Sequence, residues 1–338
     1  MPDAIYLDFE CLKTKPPTPM LLGLLADVAG RRRIQQLIVS AALARVPAGR
    51  RRVRHAAMEA AVRVLVEQAE GCDCPIVGWS TFDRDVIARA DIPVSLKTAV
   101  ARRYVNALDE ARPWKTLVYP KIKIARVDAN AAKNTLDKFA ALAGYPHVAA
   151  LRAGEPATWI RRVIKDGAPS QWRALLDYNA HDLQALRAIW LRASSELATW
   201  RSYTRGNYCV DPDRGKTFCF KAGATNARLD ALLERHGVKT WAFITAWNPA
   251  ARGQTPETND AAQATLMASV TVMGHPWFTG RGRSDDGSWP HEESLLILGI
   301  AERKARWLGR RFGQSAILVG RAGRPARLVS SAAPRLSP

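Results

Sequence analysis

The stretch AIYLDFE, residues 4–10, decides how this chain is read. Apolar and polar residues alternate along it as in a β-strand, so that Ile5, Leu7 and Phe9 share one face and Tyr6, Asp8 and Glu10 the other. So apolar a strand belongs near the centre of a sheet, where a carboxylate is costly unless a cation or donor offsets it, and two on one face also repel. Taken alone, the D-x-E pair is read as an ordinary polar face before it is read as a site. The pair raises the question of what neutralises them.

Outward from this strand, the Pro-rich TKPPTP is a turn, and MLLGLLAD and RIQQLIVS complete a three-stranded antiparallel meander. A basic linker, AGRRRVRH, precedes a helix with Met58, Ala61, Val62, Leu65, Val66 and Ala69 at helical spacing. A further strand, PIVGW, runs into a helix start at STFDRDVIARA, and helices are expected at 134–143, 156–165 and 170–197. Strands first and then strand–helix alternation give an α/β fold with a mixed sheet. From about Tyr203 the rhythm starts again. Strands are expected at KTFCFKA, TWAFITAW, SLLILGI and SAILVG, with helices at 226–236, 258–273 and 301–312. The expected organisation is a domain over 1–198, a second, smaller α/β domain over 203–330, and a disordered tail over 331–338.

The 338 residues carry 50 Lys+Arg against 31 Asp+Glu, a formal net charge of +19, and both halves are basic. Such a balance favours a polyanionic partner, nucleic acid first, although an arginine-rich proteome would produce it too. No apolar run is long enough to span a membrane and the N-terminus has no signal-peptide layout, so a cytoplasmic address without membrane association is expected. The five cysteines include Cys72 and Cys74, too closely spaced for a zinc knuckle, and are read as reduced thiols without a metal role.

The helix around QWRALLDYNAHDLQALRAIW sharpens the question about Asp8 and Glu10. Its apolar stripe runs from Trp172 and Leu175 through Tyr178 and Asp182 to Leu186 and Ile189. Asp182 therefore falls on the buried face one turn after Tyr178, while Asn179 and His181 are expected to point elsewhere, His181 as a surface or capping residue. Asp83, just after the PIVGW strand, is either a helix cap or a fourth acid. Carboxylates from a first strand, a later strand end and a late helix converge only if a cation holds them, and oxygen ligands suit Mg²⁺ or Mn²⁺. Two such ions a few Å apart are a device for phosphodiester hydrolysis.

The ordered motifs LDFE, STFDRD and YNAHD resemble those of the DEDD 3′–5′ exonucleases of the ribonuclease H-like superfamily, in the tyrosine-containing branch, over residues 1–198. The similarity is greatest to predicted bacterial exonucleases of that fold. The resemblance implies a ribonuclease H-like mixed sheet with flanking helices and a two-metal hydrolase acting on DNA or RNA. It also implies roles: Asp8 bridging two ions, Glu10 and Asp182 on the first, Asp83 on the second through water, and Tyr178 orienting the attacking water. Gly78 stands where relatives often carry an Asn that contacts substrate. The alternative is an inactive nucleic-acid-binding or adaptor protein on the same fold.

The second half resembles a small bacterial domain family of unknown function, through WAFITAWNP, GRGRSDDGSWPHEESLLILGI and LGRRFGQSAILVG. TGRGRSDDGSWP is read as a Gly-rich loop lacking the ending of a P-loop. Arg281, Arg283 and Trp289, with Glu293, are candidates for a nucleic-acid surface, and structural roles explain each of them equally well.

Overall fold

The computed structural model of the chain describes residues 3–46, 53–120, 136–146, 156–167, 169–212, 216–285, 287 and 289–331. Parts of the expected linker at 48–55 and of the helix at 134–143, and all of the expected tail except Ser331, lie outside these residues. The chain divides into two compact units, one built on Met1–Pro113 and Lys123–Ser194, the other on Trp114–Ile122 and Ser195–Pro334. Among the described residues no helix is long and apolar enough to cross a membrane.

The first unit opens with β1 (Ala4–Leu12), β2 (Thr18–Val28) and β3 (Arg31–Ile38), the antiparallel meander expected from the sequence. A short α1 (Ala41–Ala44) and β4 (Arg54–His55) lead to α2 (Met58–Gly71), β5 (Ile76–Gly78) and α3 (Phe82–Arg89). Then come α4 (Val94–Arg103), β6 (Tyr104–Asn106), α5 (Ala107–Val118), α6 (Leu136–Leu142), α7 (Pro156–Asp166) and the long α8 (Pro169–Arg205), the ends of α5 from Trp114 and of α8 from Ser195 belonging to the second unit. The strand order is β4-β3-β2-β1-β5-β6, with β5 parallel to β1 and β6 parallel to β5. An antiparallel meander continued by parallel strands, with helices flanking it, makes the mixed α/β sheet expected from the sequence.

Strand β1 is central, and its alternation sorts its side chains between two cores. Ile5, Leu7 and Phe9 pack with Val62, Leu65 and Val66 of α2, while Tyr6 packs with Leu183 and Leu186 of α8. Each fully buried Leu or Ile contributes about 1.5–3 kcal/mol relative to exposure, so turning β1 over would lose several such contributions.

The second unit carries β7 (Asn207–Asp211), β8 (Phe218–Lys221), α9 (Ala227–Arg235), β9 (Thr240–Thr245) and α10 (Pro256–Val272). Beyond these come β10 (Trp277–Arg283), β11 (Glu292–Leu298), α11 (Glu302–Arg311), β12 (Ala316–Arg321) and β13 (Arg327–Ser330). Its strands form one antiparallel sheet in the order β13-β12-β9-β11-β10-β7-β8.

Two expectations are corrected here. The start of the supposed Gly-rich loop is strand β10, in which Phe278, Gly280 and Gly282 face inward and Thr279, Arg281 and Arg283 outward. Gly280 has no room for a side chain, because a Cβ there would stand 2.5 Å from the Cys209 carbonyl oxygen and 2.8 Å from the Phe243 ring. Four of the cysteines are not reduced thiols: Cys72 is bonded to Cys74 and Cys209 to Cys219, leaving Cys11 free. The first pair is brought together by the left-handed backbone of Asp73 between them. The second sits in direct register across β7 and β8.

Candidate functional site

Asp8 and Glu10 leave β1 on the face covered by α8. Regular pairing with β2 breaks between Glu10 and Cys11, the kind of irregularity that re-aims a side chain. Asp182 enters from α8, and one oxygen from each of Asp8, Glu10 and Asp182 lies within 4.8 Å of the others. Asp83 sits in the first turn of α3, 4 % exposed, where its Oδ1 accepts a hydrogen bond from the Phe9 amide at 3.0 Å. It stands beside β1 but is not one of the three oxygens in that set. The Tyr178 hydroxyl lies near enough to Asp182 to pull its carboxyl downward, and the Tyr178 ring is held edge-on against Trp159 with centroids 5.6 Å apart.

The electrostatics of the group are adverse throughout. Burial pushes the Asp8 carboxyl up to about 6, even though hydrogen bonds with Asn179 and Glu10 pull the other way. Burial and then the Asp8 and Asp182 charges hold Glu10 well above the ordinary carboxylate range. Asp83 is raised by burial and Asp8, and Asp182 by burial, Asp8 and Asp137. Among the described residues, the charges acting on these four groups are those of other carboxylates. Moreover, Glu10 Oε1 is sealed from solvent and accepts no hydrogen bond. A buried acceptor without a donor, inside a set of oxygens at chelating distance, fits a hard divalent cation such as Mg²⁺ or Mn²⁺.

A cross-sheet row that the sequence reading missed fixes Asp8. Asp8 on β1 is paired with Gly23 on β2, and Gly23 with Gln36 on β3. A Cβ on Gly23 would overlap the Asn179 amide, so the glycine opens the space into which α8 lowers this fully buried side chain. There, Asn179 Nδ2 donates to Asp8 Oδ2 at 2.8 Å, and its Oδ1 accepts from Gln36 Nε2 at 3.1 Å. Gln36 Nε2 also donates to the Leu176 carbonyl at 2.8 Å. The expectation that Asn179 points away from the acids is therefore wrong.

His181 is corrected likewise. It is 7 % exposed, its ring lies 5.1 Å from that of Tyr145, and with Asp137 and Asp182 it forms a second set of ligand atoms within 4.8 Å. A single apolar stripe is too narrow a description of α8 here, because Asn179, His181, Asp182 and Leu183 are all buried. Gly78 also has a local reason: the Tyr104 hydroxyl, which donates to the Ser80 carbonyl, fills the space a side chain at 78 would need.

Arg281, Arg283 and Trp289 belong to the second unit. Both arginines project from the exposed face of β10, and Arg281 is paired with Asp211 at 3.1 Å. The Trp289 indole donates to Ser202 Oγ at 2.8 Å.

Residues 244–317 match a family described as a protein of unknown function (DUF3293), in keeping with the resemblance noted for the second half. No curated protein and no solved structure matches the chain.

Proposed function

We propose that the first unit is a metal-dependent 3′–5′ exonuclease that hydrolyses phosphodiester bonds of DNA or RNA. The observation that carries the reading is the convergence of the Asp8, Glu10 and Asp182 oxygens, with Glu10 Oε1 buried and unpartnered. The site was built from residues that the DEDD motifs single out, and that resemblance supplies the polarity of attack.

Asp8, Glu10 and Asp182 would hold one Mg²⁺ or Mn²⁺, and Asp83, bonded to the Phe9 amide, would contribute to a second. When bound, such ions supply an activated water at neutral pH and charge compensation at the departing oxygen. The protein's own part is positional. Asn179 and Gln36 fix the Asp8 carboxylate, so the site does not have to organise itself when substrate arrives. Burial pushes the Tyr178 phenol far above its ordinary value, so the group stays protonated at every physiological pH and acts as a hydrogen-bonding guide for water. The net charge of +19 draws a polyanionic strand to the protein from a distance.

The test is nucleotide release from end-labelled single strands in the presence of Mn²⁺. Wild-type protein is expected to shorten strands from the 3′ end, and Asp182→Asn to stop release while leaving strand binding in place. Binding without release by the wild type would favour the adaptor reading, and release unchanged in Asp182→Asn would reject the site.

A further inference from the structure

We infer that the second unit holds a nucleobase-binding cleft at the end of β9, built around Trp247, Asn248 and Glu292 and selective for bases that carry an exocyclic amino group. The cleft encloses ≈ 630 Å³, with Tyr203, Trp247 and Trp289 as its aromatic walls and Asn248, Asn259 and Glu292 among its polar groups. That volume lies in the usual range of small-molecule sites.

Three observations separate it from a chance surface depression. The first is backbone strain: Asn248, Ala250 and Ala251 all have positive φ, at 47°, 56° and 56°. Three such non-glycine residues within four positions cost on the order of one to a few kcal/mol each and persist only where the surroundings impose them.

The second is what imposes them. Asn259 and Gln263, buried on α10, accept from the amides of Asn248 and Ala246 at 2.9 and 3.0 Å, and Gln314, also buried, donates to the Trp247 carbonyl at 2.8 Å. Three buried side-chain amides are thus committed to holding one short loop. The Asn248 side chain is fixed in turn. Its Oδ1 accepts from the Gln254 amide and from Asn259 Nδ2, and its Nδ2 donates to Glu292 Oε1 at 2.7 Å.

The third is an unfinished network. Among the described residues, Glu292 has one oxygen occupied by Asn248 and makes no hydrogen bond through the other, while the indole N–H of Trp247 is buried without an acceptor. Burial raises the Glu292 carboxyl above its ordinary value, as expected where no cation stands opposite.

The occupant follows from these groups. Among the described residues no Lys or Arg lines the cleft, so in a chain as basic as this one a phosphate would find better sites elsewhere. Flat aromatic walls favour a planar ring, since base–aromatic stacking needs no particular base. The free Glu292 oxygen asks for an N–H donor, which the exocyclic amino groups of cytosine, adenine and guanine supply at the outer edge of the ring, whereas uracil presents O4 or O2 there and donates only through its ring N3–H. A nucleoside and the terminal base of a strand share this chemistry. The inference does not depend on the nuclease reading, because it concerns residues of the other unit.

The test is titration of the full chain with cytidine, guanosine and uridine, followed by tryptophan fluorescence and calorimetry. It is carried out in excess chelator and repeated on Asp8→Asn, so that binding at the acidic group of the first unit is not counted. Cytidine and guanosine are expected to saturate one site per chain, with uridine weaker by about tenfold, the discrimination of one good hydrogen bond. Glu292→Gln keeps the shape and the Asn248 bond but turns the free acceptor into a donor. It is expected to weaken cytidine about tenfold and to strengthen uridine, whose O4 accepts. A reversed preference cannot arise from simple unfolding. Saturation by a pentanucleotide but not by the nucleosides would place the terminal base of a strand in the cleft. No saturable binding, equal affinity for uridine, an unchanged order in Glu292→Gln, or binding lost in Asp8→Asn would each overturn the inference.

Discussion

Asp8→Asn should make the metal-free protein more stable at neutral pH while removing its response to Mn²⁺. The folded protein holds the Asp8 proton up to about pH 6, whereas the ordinary carboxylate value is 3.8. Across that window the folded state carries a proton that the unfolded chain has released. Stability therefore falls as pH rises through the window, and the loss is complete above about 6. At ~1.4 kcal/mol per pH unit, the difference amounts to about 3 kcal/mol. Asparagine removes the charge, and its amide oxygen still accepts from Asn179. In chelator near pH 8, the variant should gain about 1–3 kcal/mol over wild type, with a flatter profile down to about pH 5. With Mn²⁺ at a hundred times its dissociation constant, wild type should gain about 2.7 kcal/mol and the variant far less. The two proteins thus exchange rank between chelator and metal. Urea denaturation followed by tryptophan emission reads this directly, through Trp159 and Trp172 in the core of the first unit. A variant less stable than wild type in chelator near pH 8, or a wild-type profile flat from pH 5 to 8, would refute the claim that uncompensated carboxylates strain the site.

Two further outcomes follow from glycines with no room for a Cβ. Gly23→Ala should push the Asn179 amide off Asp8 and lower metal affinity or nucleotide release by about 10–100-fold, the usual effect of losing a group that orients a ligand; metal titration of the variant checks it, and undiminished affinity would show that Asn179 does not organise Asp8. Gly280→Ala should destabilise the second unit by about 1–3 kcal/mol through its clash with the Cys209 carbonyl and the Phe243 ring, and calorimetry should show only the transition of that unit moving.

What the sequence disclosed depends on whether the information was local. β1 was legible because strict alternation and strongly apolar neighbours fix both its conformation and its faces. Asp182 was legible for a similar reason, since its place in the stripe with Tyr178 is a property of one helix. β10 was hidden because two of its three inward positions are Gly280 and Gly282, which carry no hydrophobic signal, and Gly280 is glycine because its neighbours leave no room for a Cβ. The cysteine pairing across β7 and β8 disappeared along with the unrecognised β7. Asn179 was hidden more deeply. Its role exists only when Asp8, Gly23 and Gln36 fall into one row across three strands and a helix some 150 residues later descends onto that row. No window along the chain contains the row, yet the row holds the acid on which the site is centred.

The charge distribution sets an order of events. A net charge of +19 would draw a polyanion toward the chain, but the interior of the proposed site would repel one: at an effective dielectric constant of about 20, each carboxylate some 4 Å from a phosphate opposes it by about 4 kcal/mol. Three converging carboxylates would therefore exclude a scissile phosphate that the basic surface had already drawn close. Protonation relieves only part of this at neutral pH, since the Asp8 carboxyl loses its proton near pH 6. A divalent cation both offsets the acids and gives the phosphate something to approach. Surface binding should accordingly weaken steeply with salt and be indifferent to chelator, whereas engagement of the strand end should depend on the metal. The cost in metal-free stability and the proposed dependence of turnover on a metal are then two consequences of the same buried carboxylates, and one substitution at Asp8 should reduce the first and abolish metal-dependent turnover itself.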